Sequence, residues 1–396
     1  MEHSVSSTQL PVAAFDYQPR TRLIFGPNTI DRIGDLARNL GATRVLLVTD
    51  KGIIKAGHAD RVIGLLRAAG LQSTTYDSVQ ENPTTRDVDE CVKVAREAQI
   101  DFIVGLGGGS AMDTAKGCNF ILTNGGRMQD YWGIGKATQP MLPLIAVPTT
   151  AGTGSECQSF ALIADENTHQ KMACGDPKAA ARIAILDPTL TLSQPQRVTA
   201  CTGIDAIAHA VETAVTKKKN ALSWLFAREA FQLCMTGFDR VLSNPSDVEA
   251  RGRMLLGAAY AGTAIENSML GAAHSAANPL TAHFNIIHGH AVGLMLPHVV
   301  RFNAHEPAAA RAYAEIALLV HLVDPATPGL KAADVLSARL LELLTSANLP
   351  ARLRDCGVEA AKIPVMAEEA ARQWTATFNP RPITRDDFIS LYQAAW

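Results

Sequence analysis

Residues 101–119 read DFIVGLGGGSAMDTAKGCN. Phe102–Gly105 is a short apolar run of the kind that forms a buried strand, and Ala111–Asn119 carries on as a helix. The glycines between them let backbone approach a pyrophosphate closely, and the helix start offers free N–H groups at the positive end of its dipole. Ser110 replaces the last glycine of the common dinucleotide fingerprint, and a tight turn without a ligand would use the same glycines. The stretch therefore reads as one strand–loop–helix unit.

Working outward, Val45–Thr49 and Leu144–Val147 read as further buried strands. Asn28–Leu40, Asp60–Ala69 and Thr85–Ala98 have helical spacing, the last with Thr84 or Thr85 as its cap. Such alternation predicts a largely parallel sheet covered by helices on both faces. After Pro195 the grammar changes. Val198–Thr216, Ala221–Leu242, Asp247–Ala277 and Ala308–Leu322 are long, alanine-rich and helically periodic, with no convincing strand. The fold class is thus an α/β dinucleotide-binding domain over residues 1–193 joined to an all-α domain over 194–396, with ligand expected in the cleft between them.

The chain has 396 residues, enough for two or three domains at about 150 residues each. Lys and Arg number 36 against 38 Asp and Glu, a net charge of −2, so no basic surplus argues for nucleic acid or anionic lipid. Hydrophobic residues at 47% and charged residues at 19% describe a globular protein, the low charge fitting subunit contacts and hence a homodimer or larger homo-oligomer. The opening residues lack a leader pattern, and no window is apolar enough to span a bilayer. Cysteines 91, 118, 157, 174, 201, 234 and 356 are scattered singly with no CxxC pair, consistent with reduced thiols in a cytoplasm.

Four further segments carry chemistry. Pro148–Glu156 (PTTAGTGSE) follows a strand and offers hydroxyls and bare backbone to a phosphate or carboxamide, although local turn bonds would use them equally. Asp50 ends VLLVTD, where a carboxylate accepts from a ribose diol and repels a 2′-phosphate, favouring NAD over NADP; a helix cap is the alternative role. Asp205 and His209 stand one turn apart on one helix face, and His274, His283, His288 and His290 fall within 17 residues. An Asp/His₃ set with an open position suits Fe²⁺ or Zn²⁺, or another divalent ion, and spacing does not choose among them.

In order along the chain stand FGPNTI (25–30), VTDKG (48–52), ENPT (81–84), GGGSAMDTAK (107–116), PTTAGTGSE (148–156), LDP (186–188), GIDAIAHAVE (203–212), HGHAVGLMLPHVVRFN (288–303) and NPRPIT (379–384). Together they make the sequence resemble the iron-containing (group III) alcohol dehydrogenases over essentially its whole length. The resemblance implies hydride transfer between NAD and a small alcohol or aldehyde. It implies metal ligands Asp205, His209, His274 and His288, in a helical domain that also receives the substrate. It implies cofactor contacts from Asp50, Asn82, Gly108, Gly109, Ser110, Asp113, Thr149, Thr150 and Lys171.

One position departs from the family. Many members carry a second histidine four residues after the first in the 274 region, where this chain has Asn278. An amide hydrogen-bonds but does not exchange a proton near neutral pH, so His283 and His290 are weighed as substitutes. The same fold also hosts dehydroquinate synthase-like lyases and hydroxyacid–oxoacid transhydrogenases. PTTAGTGSE and GIDAIAHAVE favour a dehydrogenase over the lyase, and activity without added NAD would mark the transhydrogenase.

Overall fold

The computed structural model describes residues 14–168 and 170–396. Residues 1–13, most of the stretch read for a leader, lie outside the described residues.

The first half places strands β1 (Arg22–Phe25), β2 (Arg44–Val48), β3 (Gln72–Tyr76), β4 (Phe102–Gly107), β5 (Gly133–Ile134), β6 (Leu144–Pro148), β7 (Phe160–Ala164), β8 (Lys171–Gly175) and β9 (Ile183–Leu186). Helices α1 (Ile33–Asn39), α2 (Lys51–Lys55), α3 (His58–Ala68), α4 (Thr85–Glu97) and α5 (Gly109–Asn124) alternate with them. Six strands form one parallel sheet in the order β1-β9-β6-β4-β2-β3. A small second sheet, β5-β8-β7, contains the antiparallel pair β7–β8.

The centre of the parallel sheet is buried on both faces because strands β2, β4, β6 and β9 are apolar on both. Along β2, Val45 and Leu47 enter the core under α1 and α3, whereas Leu46 and Val48 enter the core under α4 and α5. Gly105 faces α5, where a Cβ would stand 3.2 Å from Met112 Sδ; its absence lets the glycine-loop helix lie close on the sheet. Thr84 and Asp87 cap α4 reciprocally, which fixes its start after Pro83.

From Gln196 on, the described residues hold only helices: α6 (Gln196–Thr213), α7 (Ala221–Ser243), α8 (Val248–Ser268), α9 (Ala272–Phe284), α10 (His288–Asn303), α11 (Pro307–Leu319), α12 (Gly329–Ser346), α13 (Ile363–Arg372) and α14 (Arg385–Ala395), with short 3₁₀ turns. They share one core built largely from alanine, leucine and valine. None of the described helices is long and apolar enough to cross a membrane.

Three expectations need correction. The helix expected over Asp247–Ala277 is two helices, because Met269 adopts φ +68° and the chain restarts at Ala272. The span Asn28–Leu40 is a 3₁₀ turn (Thr29–Arg32) followed by α1. Strand β3, with sequence QSTTY, escaped notice because it lies at the sheet edge, where polar side chains are tolerated.

Candidate active site

All strands of the main sheet run the same way, so their C-terminal ends share one edge. Gly107 of β4 pairs with Pro148 of β6, which sets the loops that follow side by side. A Cβ on Gly108 would press on the Thr150 side chain at 3.4 Å, and one on Gly109 would stand 2.7 Å from Thr153, so bare backbone is required where the loops meet. Helix α5 starts here with no side chain capping it, leaving its first N–H groups open toward an anion. Ser110 is the second residue of that helix.

Asp50 lies at the same edge, beyond β2, and caps α2 by accepting from Ile53 N–H at 3.0 Å. Of the two roles open from sequence, the cap is present, and the second carboxylate oxygen takes no part in it. Asn82 holds φ +53° in the exposed loop between β3 and α4. Thr149 is buried and its N–H donates to Gly107 O at 2.9 Å. Lys171 opens β8 on the surface, close enough for its charge to act on both Asp113 and His288.

The helical half delivers the titratable cluster. Asp205, His209 and Glu212 project from one face of α6, and all are at least 95% buried. His274 enters from the first turn of α9. Ligand-type atoms of Asp205, His209 and His274 lie within 4.8 Å of one another. The His209 and His274 rings stack at 4.8 Å between centroids, and His288, from the first turn of α10, stands 5.4 Å from His274. Glycines at 289 and 293 bring α10 onto α6, their missing Cβ atoms leaving room for Cys201 O and Ile204.

The remaining nitrogens fix the ring orientations. His209 Nδ1–H donates to Gly152 O at 3.2 Å, turning Nε2 toward Asp205 Oδ1 at 3.5 Å. His274 Nδ1–H donates to Glu212, whose other oxygen accepts from Ala273 N–H at 2.7 Å at the head of α9. Glu212 was not singled out from sequence, although its i+7 spacing from Asp205 was a usable signal. Burial alone would raise the Asp205 carboxyl; the His209 imidazole, followed by His274 and His288, overrides it and holds the group well below the carboxylate range. Burial opposes charge on His274, yet the Glu212 and Asp205 carboxylates push it up to about 9. Burial pulls His288 down to about 3 and also lowers His209.

Asp205 Oδ1 and His274 Nε2 are buried, 3.4 Å apart, and without a hydrogen-bond partner among the described residues. Two orphaned lone-pair atoms facing one small volume are what a cation between them would satisfy, so the donor set fits a divalent metal.

The substitutes weighed for the proton relay lie elsewhere. His283 is nine residues beyond His274, half a turn out of phase, and pairs with Glu369 at 2.9 Å on the outside of α9. His290 is turned away from His288 and bonds Pro350 O at 2.8 Å. Asn278 lies one turn from His274 on the same face, half-buried, and donates to Gln373 Oε1 at 3.2 Å.

A glycine-rich sheet edge beside a buried carboxylate–imidazole cluster is the arrangement a nucleotide-linked, metal-assisted enzyme would use. The family model of iron-containing alcohol dehydrogenase matches residues 19–188, and that of the Fe-containing alcohol dehydrogenase family, C-terminal, matches 199–396. Alcohol dehydrogenase 4 of Schizosaccharomyces pombe is 35% identical over 392 residues, 99% of this chain and 91% of the relative. The NAD-dependent methanol dehydrogenase of Bacillus methanolicus is 32% identical over 375 residues, 94% of this chain and 97% of that one. A solved 1,3-propanediol oxidoreductase superposes with a TM-score of 0.93 at 34% identity, covering 97% of this chain and 100% of the other. The chain belongs to the iron-containing alcohol dehydrogenase family.

Proposed function

We propose that this alcohol dehydrogenase interconverts a small primary alcohol or diol and its aldehyde, using NAD and one divalent metal, iron by family. The observation that carries the reading is the facing pair of unpartnered buried atoms, Asp205 Oδ1 and His274 Nε2. Relatives named for methanol and propanediol support small, unbranched substrates.

Asp205, His209 and His274 would hold the metal, with His288 closing the set from α10. When bound, the metal supplies Lewis acidity at the substrate oxygen and NAD supplies the hydride acceptor. The chain does the rest by positioning. Open N–H groups at the start of α5 would hold the pyrophosphate, and the bare backbone at Gly108 and Gly109, just before Ser110, would let it approach closely. Asp50 would offer its free oxygen to a ribose hydroxyl, and Asn82, Asp113, Thr149, Thr150 and Lys171 would supply further contacts to the nucleotide. Glu212 and the Gly152 carbonyl hold the His274 and His209 rings so that their Nε2 atoms converge. Asn278, paired with Gln373 one turn from His274, would offer a hydrogen-bonding amide there but neither an acid nor a base.

The test is reconstitution. Chelator-treated protein should oxidise NADH with short aldehydes only after a divalent ion is restored, with Fe²⁺ and Zn²⁺ compared side by side. Equal turnover in the stripped and reloaded protein overturns the metal assignment.

A further inference from the structure

Lys116, on the buried side of α5, is completely inaccessible to solvent. Burying an ammonium is costly unless every donor is satisfied, and here all three are. Nζ donates to Ser155 O at 2.5 Å, to Ser155 Oγ at 2.9 Å and to Phe160 O at 3.0 Å. Among the described residues no carboxylate is within ion-pair distance of it. The Ser155 hydroxyl, having accepted from Lys116, donates to Asp113 Oδ1 at 2.9 Å. Hydrogen-bond donation therefore runs in one direction, ammonium to hydroxyl to carboxylate, between two side chains about one turn apart on α5.

Ser155 closes the loop that begins after β6. At Gly154, φ is +62° and the backbone lies directly against Gly262 of α8. Gly152, three residues before Ser155, has no room for a Cβ against Thr202 of α6, and its carbonyl orients His209. Lys116 thus grips the far end of the segment whose near end fixes a metal-side imidazole, while the same serine anchors a carboxylate at the nucleotide side.

We propose that Lys116 is a positioning residue joining the two halves of the site: through Ser155 it fixes both the loop carbonyl that orients His209 and the Asp113 carboxylate. The inference rests on the metal-and-NAD reading above. Burial pulls the Lys116 ammonium down, and Asp113, Glu266 and Glu156 oppose that pull, as expected of a cation retained for its neighbours.

The experiment compares wild type, Lys116→Met, Ser155→Ala and a remote control, Leu336→Ala in the helical core. Each is verified as folded by circular dichroism, stripped of metal, and titrated separately with Co²⁺ by absorbance and with NADH by fluorescence. Lys116→Met is expected to raise both dissociation constants at least tenfold. Ser155→Ala leaves both carbonyl acceptors of the ammonium in place and removes only the hydroxyl that links it to Asp113, so it should weaken NADH several-fold more than Co²⁺. Leu336→Ala should lower the melting temperature and leave both affinities alone, which separates positioning from general destabilisation. The proposal is overturned if folded Lys116→Met binds both probes within threefold of wild type, or if Ser155→Ala shifts neither or both equally. Should Lys116→Met fail to fold, the Ser155→Ala split decides alone. A wild-type chain that takes up neither probe overturns the reading of the site as well, whereas normal wild-type binding with unchanged variants overturns this proposal only.

Discussion

His274 and Glu212 form a buried pair in which the carboxylate takes the Nδ1–H, so that Nε2 is the atom turned toward Asp205. The same carboxylate accepts from Ala273 N–H, tying the start of α9 to α6. Orientation of a ligand by a partner behind it commonly governs metal affinity by ten- to a hundredfold, on the order of 1–3 kcal/mol. Glu212→Gln should therefore weaken Co²⁺ uptake by about tenfold or more, read by absorbance titration. Unchanged affinity would remove Glu212 from the site.

His274→Ala is the sharper change. Two other ring nitrogens and Asp205 remain, but the orphaned pair that marks the metal position is gone. The variant should lose both bound metal and turnover while NADH still quenches protein fluorescence, since the glycine loop is untouched. Full activity without metal in this variant would sink the assignment.

Gly289 has no space for a side chain, because a Cβ would overlap Cys201 O and lie 3.1 Å from the Asp205 Cβ. Gly289→Ala should push the head of α10 off α6 and carry His288 with it. Overpacking of this kind costs about 1–3 kcal/mol. A lower melting temperature together with weaker metal binding is expected, and a lower melting temperature alone would show that His288 is dispensable.

Asp50 combines a cap with a negative charge. Asp50→Asn retains an acceptor for Ile53 N–H and removes the charge, whereas Asp50→Gly removes both acceptor and charge. Both should improve NADPH relative to NADH, measured as the ratio of kcat/KM values. The same ratio as wild type in both variants would place the ribose elsewhere.

Glu156 is buried, which pushes its carboxyl up to about 7, while Lys116 pulls the other way. A carboxyl raised on folding binds more protons folded than unfolded between the ordinary glutamate value, about 4.3, and that raised value. Its favourable contribution is complete below that window and is lost as pH climbs through about 7. Glu156→Gln should leave stability near pH 5 little changed and raise it relative to wild type at pH 8, by denaturant unfolding of the metal-free protein. An equal difference at both pH values would show that Glu156 does not titrate in this window.

How far the sequence reached is clear from particular residues. The alternation around DFIVGLGGGS implied a parallel sheet, and the alanine-rich second half implied helices, because period and composition are local properties. Asp205 and His209 could be paired on sight, being one turn apart on one helix. Resemblance in motif order supplied His274 and His288, whose approach depends on how α9 and α10 pack against α6.

What only the tertiary structure decided concerns partners distant in sequence. His283 and His290 matched the pattern as well as His274 did, yet helical phase turns them away from the cluster, His283 to Glu369 at the surface and the buried His290 to the Pro350 carbonyl. Lys116 looked like an ordinary helix lysine until Ser155 and Phe160 closed around it. Met269 broke a helix that composition would have continued, so that α9 could begin against Glu212. Sequence determines which residues can share a face of one element. Whether two faces meet, and which lone pairs are left without a protein partner when they do, is settled by packing between elements, and the proposed metal position rests on that packing.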